Sequence, residues 1–160
     1  KRSFSVFYYT FNTIIGKITL LADEISLKML SFGEKRPSGA VLGKNKIISD
    51  TISELEEYFL GTRIEFDIPV SPEGTDFQKK VWKALLHIPY GETRSYKAIA
   101  EYIGNPKACR AVGGANNKNP IAIIIPCHRV IGKNGSLTGY AGGTDIKSAL
   151  LEIEKKKTPV

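Results

Sequence analysis

Cysteine and histidine are scarce in this chain: there are two of each in 160 residues. Two cysteines cannot build a disulfide framework, and two histidines with two cysteines at scattered spacings do not make a zinc site. Long apolar runs are missing as well; none approaches the ~20 residues that a membrane span needs. The opening stretch, KRSFSVFYYTFNT, has no apolar core followed by a small-residue cleavage site, which argues against a secretory leader. No internal repeat or low-complexity tract is visible. What is present is the mix of an ordinary globular protein, 42% hydrophobic and 24% charged, and that mix excludes disorder and collagen-like repeats. A chain of this length buries about 70% of its unfolded surface, enough for one domain or two small ones.

The formal net charge is +7, and it is unevenly placed. Residues 1–73 hold 9 basic and 10 acidic side chains, net −1, whereas residues 74–160 hold 14 and 6, net +8. A basic half beside a neutral half suggests a polyanionic partner for one half only. A solvated lysine-rich surface gives the same sums, and Lys155, Lys156 and Lys157 supply part of the excess.

In the first half, Ser5 to Thr10, Gly16 to Ala22 and Leu27 to Phe32 read as strands, with a turn at Asn12–Thr13. Gly33 to Gly43 reads as a loop. Ile48, Ile52, Leu55 and Phe59 recur at helical spacing and predict a helix over Asp50 to Leu60, stopped by Gly61. Ile64 to Val70 is expected to be extended. The charge shift falls at the turn Ser71-Pro72-Glu73-Gly74, which places a domain boundary there: an α/β domain over 1–73 and a second domain over 74–160.

In the second half, Thr75 or Asp76 caps a helix with Phe77, Val81, Trp82 and Leu85 inward, ended by Pro89-Tyr90-Gly91. Ser95 caps a short helix with Ile99, Ala100 and Ile103 inward, and Gly104 stops it. Asn105 caps the next, with Pro106 at its first position, running to about Asn116. Helix, tight glycine turn and a second helix carrying Lys107 and Arg110 make the pattern of a helix-turn-helix, one shared with helix pairs that touch no DNA. The small residues Ala108, Ala111 and Ala115 permit close approach, to another surface or in internal packing. Ile121 to Ile125 predicts a buried strand ended by Pro126. His128 to Gly143, with its Asn134-Gly135 turn, predicts a hairpin or wing. Thr144 to about Lys155 predicts a last helix with Ile146, Ala149, Leu150 and Ile153 inward.

Cys127 follows an apolar run and a proline, and precedes His128 and Arg129. A fixed backbone position and nearby positive charge are conditions for a reactive thiolate. An inert buried cysteine fits the same spacing. Adjacent residues do not ordinarily face each other, so Cys127 and His128 are not by position alone a protease-like pair.

Residues 125–130, Ile-Pro-Cys-His-Arg-Val, resemble the active-site signature of the O6-alkylguanine-DNA alkyltransferases, the direct-reversal DNA repair family. The resemblance continues through Phe77-Gln78, Val81-Trp82, Gly91-Glu92, Ser95-Tyr96, the run Gly104 to Ala115, Asn119-Pro120, Gly139-Tyr140, Gly142-Gly143, Lys147 and Glu154. These lie in order and at the family's spacing over about residues 75–155. The first half resembles the family's variable domain in length and element order.

The resemblance implies an α+β protein: a small N-terminal ribonuclease H-like α/β domain and a C-terminal winged-helix-like domain with a helix-turn-helix. It implies irreversible transfer of an alkyl group from O6-alkylguanine in DNA to Cys127, one turnover per protein, with O4-alkylthymine as a further candidate substrate. His128 is then the base that takes the thiol proton through a water, Glu154 orients the imidazole, and Asn119 braces the turn before the active-site segment. Tyr96, Val130, Tyr140, Ala141 and Lys147 fall at substrate-binding positions. Arg110 matches the finger that fills the place of a flipped nucleotide, and Ser95, Ala108, Ala111, Gly113, Gly114 and Ala115 fall at the DNA contact surface, in the minor groove. Two positions depart from the family pattern. Ala141 stands where serine is frequent, so only a backbone donor is left there for O6, and Cys109 stands where alanine is common and reads as a packing residue. The implied partner is double-stranded DNA with an alkylated guanine, bound by a monomer, with no membrane, metal or other cofactor. The implied location is the cytoplasm, with the nucleoid in a prokaryote, or the nucleus in a eukaryote. A non-catalytic alkylated-base binder would lack Cys127, and a winged-helix regulator would not need Pro126-Cys127-His128-Arg129 with a distant Glu154.

Overall fold

A computed structural model describes residues 5–137, 140 and 142–157. The chain divides into two compact units, Lys1–Glu73 and Gly74–Val160.

In the first unit, β1 (Phe7–Thr13) and β2 (Gly16–Ala22) form an antiparallel hairpin, and β3 (Leu27–Phe32) pairs with β2. The short β4 (Val41–Leu42) lies parallel to β1, giving the order β3-β2-β1-β4. Ile18, Leu20 and Ala22 alternate along β2 and are buried, as are Leu27 and Leu30 of β3. The helix α1 (Lys46–Leu60) packs on β1 and β2 and buries Ile48, Thr51, Leu55 and Tyr58. Each fully buried Ile or Leu contributes about 1.5–3 kcal/mol.

The unit differs from its expected outline in several places. The hairpin turn is at residues 14–15, not Asn12–Thr13, because pairing continues to Thr13 opposite Gly16, which takes φ 104°. The helix α1 starts about one turn before Asp50, because Asn45 accepts from the Ile48 amide at 3.0 Å and caps it there. Gly61, at φ 79°, closes it. The loop from Gly33 to Gly43 contains β4, too short to show a period. In the segment from Ile64 to Val70 only Val70 pairs, with Leu27.

In the second unit, α2 (Asp76–Leu85) begins with a capping box between Thr75 and Gln78. It ends at Leu85, ahead of Pro89, where the amides of His87 and Ile88 turn back to the carbonyls of Ala84 and Leu85. Ser95 caps α3 (Tyr96–Tyr102), accepting from the Ala98 amide at 3.0 Å. Gly104 takes φ 81°. Asn105 to Ala108 then forms a β-turn, Ala108 N–H to Asn105 C=O at 3.0 Å with Pro106 at its second position. The next helix, α4 (Cys109–Asn117), therefore starts at Cys109 and not at Pro106.

Ile121 to Ile125 is buried but is not a strand. It is a compact turn in which the amides of Ile124 and Ile125 bond back to Ala122 and Ile121, and Ile123 takes φ 71°. Such a φ is costly for a β-branched residue, about 1–3 kcal/mol. A 3-10 turn, Cys127–Arg129, leads into β6 (Val130–Ile131), which pairs in parallel with β5 (Arg94–Ser95). The Asn134-Gly135 turn is present, both residues having positive φ, and is closed by Gly132 N–H to Ser136 C=O at 2.8 Å. No antiparallel wing strand pairs with β6 among the described residues; Thr138, Gly139 and Ala141 lie outside them. The last helix, α5 (Thr144–Lys157), extends slightly past its expected end. No helix among the described residues is long and apolar enough to cross a membrane.

Candidate active site

Cys127 sits at the start of the 3-10 turn after Pro126, only 4% exposed. Two amides from the end of α4 fix its approach. Asn119 receives the Ile121 amide on Oδ1 at 3.0 Å and donates Nδ2–H to the Ile125 carbonyl at 2.8 Å, clamping both ends of the isoleucine turn. Asn116, 1% exposed, donates Nδ2–H to the carbonyl of Cys127 itself at 3.3 Å. The turn that presents the sulfur is thus held by side chains in place of a strand partner.

The two residues that follow Cys127 in the chain enter a buried polar cluster organised by Glu154. Lys147, Leu150 and Glu154 lie three and four residues apart and share the inward face of α5. Glu154 Oε2 is 2.6 Å from His128 Nε2. Arg129 donates Nε–H to Oε1 at 2.8 Å and Nη2–H to Oε2 at 3.1 Å. The Gly91 amide adds a longer bond to Oε1 at 3.3 Å, and Arg129 Nη1–H reaches the Ile88 carbonyl at 2.7 Å.

This environment sets the protonation states. Burial opposes the Glu154 carboxylate, but hydrogen bonds from His128 and Arg129, with the guanidinium charge alongside, hold its carboxyl well below the usual carboxylate range. Burial pushes the His128 imidazole down, against the pull of Glu154, with Arg129 and Lys147 adding to the fall. His128 is therefore neutral, with its proton on Nε2 toward an acceptor-only carboxylate, and Nδ1 is left as a bare acceptor. Nδ1 is buried and has no hydrogen-bond partner among the described residues. Burial also pushes the Cys127 thiol up, outweighing Asn119, Lys147 and Tyr140, which act to lower it. The resting group is thus a thiol, and needs a base.

The parallel β5–β6 pair sets Arg94 opposite Val130 and Ser95 opposite Ile131, so the start of α3 is laid beside the end of the cysteine turn. Tyr96 follows directly; its ring lies over Gly113 of α4, where an added Cβ would meet it at 3.9 Å. Burial, then the charge of Cys127, raise the Tyr96 hydroxyl, which remains a donor. Lys147 is fully buried, donates to the Val130 carbonyl at 2.6 Å and stands 5.8 Å from the centre of the Tyr140 ring. Burial pushes its ammonium down, opposed by Cys127. Its direct contact is with the backbone of Val130. Ala141 lies outside the described residues.

The expected DNA-contact residues divide. Arg110, Ala111, Gly114 and Ser95 are exposed, and Ala108 and Gly113 are half-buried. Ala115 is buried and its carbonyl accepts the Trp82 indole N–H at 2.8 Å, so it is a packing residue and not a contact surface. Sequence reasoning missed Asn116, whose only signal is a polar residue on the buried side of α4. It left the partner of Arg129, Glu154, unassigned. Among the described residues no group of three or more His, Cys, Asp or Glu side chains is placed to hold a metal ion.

Residues 76–156 match the pattern of the 6-O-methylguanine DNA methyltransferase DNA-binding domain, and residues 6–72 match that family's ribonuclease-like domain. A methylated-DNA–protein-cysteine methyltransferase of Methanosarcina acetivorans is 54% identical over 154 residues, covering 93% of this chain and 98% of that protein. One of Mycobacterium tuberculosis is 50% identical over 157 residues, covering 96% and 95%. The crystal structure of Mycobacterium tuberculosis OGT in complex with DNA superposes with a TM-score of 0.89 at 50% identity, over 96% of each chain.

Proposed function

The chain belongs to the 6-O-methylguanine DNA methyltransferase family, and from that premise we propose that Cys127 is its alkyl acceptor and that His128 and Glu154 activate it. The family reaction is direct-reversal DNA repair, in which an alkyl group passes from DNA to a protein cysteine. The observation that carries the assignment is the buried His128–Glu154 pair at 2.6 Å, with His128 directly after Cys127 in the chain and its Nδ1 without a hydrogen-bond partner among the described residues.

In this reading His128 takes the thiol proton on Nδ1 through one bridging water, and Glu154 stabilises the imidazolium that forms. The sulfur attacks the alkyl carbon in line, the bond from that carbon to O6 breaks, and its electron pair stays on the guanine. The Tyr96 hydroxyl gives its proton to the leaving base, and the proton taken up by His128 makes good that loss. Sulfur ends as a thioether and guanine as itself. No residue here can remove the alkyl group again, so each protein turns over once. The carbonyls of Cys127 and Val130 accept from the guanine amino group; Asn116 and Lys147 hold those carbonyls from behind.

O6 lies inside the duplex stack, so the nucleotide must leave it, at a cost of a few kcal/mol. The exposed Arg110 on α4 fills the space, and Ala111 and Gly114 give the helix a low surface that enters the minor groove without reading sequence. The same reading has the protein act as a monomer on duplex DNA carrying O6-alkylguanine, with O4-alkylthymine as a further candidate substrate, in the compartment that holds the chromosome. Incubation with a duplex labelled in the O6-methyl group is expected to place about one label per protein and then stop. Continued turnover, or no transfer, contradicts the proposal.

A further inference from the structure

We infer that Arg129 is a positioning residue for alkyl transfer: its guanidinium fork holds the Glu154 carboxylate against His128 and shares that carboxylate's charge, so that the imidazole keeps its role as proton acceptor. The inference rests on the Cys127–His128–Glu154 reading and extends it to a residue that touches neither sulfur nor base.

The fork is bidentate, Nε on Oε1 at 2.8 Å and Nη2 on Oε2 at 3.1 Å, a geometry that fixes both oxygens of a carboxylate. Arg129 is itself fixed from the far side: Nη1–H bonds the Ile88 carbonyl at 2.7 Å and Cζ lies 5.7 Å from the centre of the Tyr90 ring. The residue is 7% exposed. Burying such a pair is a weak source of stability, because desolvation offsets most of the attraction. What the fork does supply is direction. Oε2 receives both Arg129 and His128, so its charge is divided between them. Without the charge of the guanidinium, the buried carboxylate would pull more strongly on the imidazole and favour its protonated form. An imidazolium at rest has no lone pair for the thiol proton.

The other groups around His128 do not replace the fork. Lys147, on α5 with Glu154, is engaged with the Val130 carbonyl. Cys127, on the same turn as His128, is a thiol held up by burial. Tyr90, on the 88–91 turn, is a phenol whose hydroxyl is pushed up first by burial and then by Glu154. The charge of Arg129 and that of Lys147 both act to lower the His128 imidazole, but only Arg129 touches the carboxylate that raises it.

The test compares the full-length protein with R129K, which keeps the charge, and R129M, which does not; R129Q serves in place of R129M if that variant does not fold. Imidazole nitrogen chemical shifts report the state of His128, with the exposed His87 as internal reference. The expected result is a neutral, Nε2-protonated His128 at neutral pH in the wild type and R129K, and an imidazolium in R129M or R129Q. In single-turnover transfer the acid limb then moves to higher pH in the uncharged variants, so that transfer at about pH 6 falls about tenfold relative to the wild type. R129K keeps the wild-type position of that limb. A wild-type His128 that is an imidazolium at neutral pH overturns the inference, and so does an uncharged variant whose His128 stays neutral with an unmoved profile. The nitrogen shifts need no DNA, so they judge Arg129 even if labelled duplex shows that Cys127 is not the acceptor.

Discussion

Glu154 Oε2 stands 2.6 Å from His128 Nε2, across 26 residues of chain, with both side chains shut away from solvent. The pair sets the tautomer of the imidazole and turns its other nitrogen into the acceptor. E154Q keeps the size of the side chain and removes the charge that stabilises the imidazolium. Transfer from an alkylated duplex is expected to slow by about two orders of magnitude, the scale of general-base assistance. Single-turnover kinetics measure it; a rate within about twofold of wild type would remove Glu154 from the mechanism.

The same two residues predict how stability depends on pH. His128 is depressed below its ordinary value of 6.5 by burial, so the folded state binds fewer protons than the unfolded state as pH falls past that value. Its share of stability is intact above 6.5 and is lost on acidification below it. Glu154 is depressed below 4.5, so its share is intact above 4.5 and is lost as pH drops further toward its folded value. Stability therefore falls in two stages toward acid. Melting temperature measured from about pH 8 down to about pH 5 is expected to decline in the wild type and to decline less in H128Q. Equal slopes in the two proteins contradict a neutral buried histidine.

Arg110 is exposed as the second residue of α4. R110A is expected to slow repair of duplex DNA by about tenfold or more, since the cost of flipping is a few kcal/mol. Reaction with free O6-benzylguanine, which needs no flipping, should be unchanged. Equal losses on both substrates would contradict the finger role.

Much of this was legible because it is local. The strands β2 and β3 coincide with their expected limits, since alternation over seven and six residues is a strong signal. Ser95 and Thr75 announce their helices by residue type. The isoleucine run misled for a physical reason: its composition favours a strand, but Pro120 and Pro126 bracket it and Asn119 bonds both its ends, so the chain folds on itself. The meeting of His128 and Glu154 was visible through the family motif alone and not through spacing. Asn116 and the fork of Arg129 carry no local signal, because their partners are set by how α4, α5 and the 88–91 turn pack.

Gly74 precedes α2 at a point where an added Cβ would lie 2.5 Å from the Trp82 ring and 2.6 Å from Gln78 Oε1. Trp82 cannot easily give way, being buried and bonded to the Ala115 carbonyl at 2.8 Å. G74A is expected to destabilise the protein by about 1–3 kcal/mol through overpacking. Denaturant unfolding measures this; an unchanged midpoint would show that the start of α2 is free to move.

The central claim is that one sulfur accepts the alkyl group. The chain holds a second cysteine, Cys109, half-buried at the first position of α4, which makes the claim sharply testable. After reaction with a duplex containing O6-methylguanine, peptide mass spectrometry should find the methyl group on Cys127 alone, and C127A should acquire none while still binding the duplex. A methyl group on Cys109, or transfer that persists in C127A, would contradict the account.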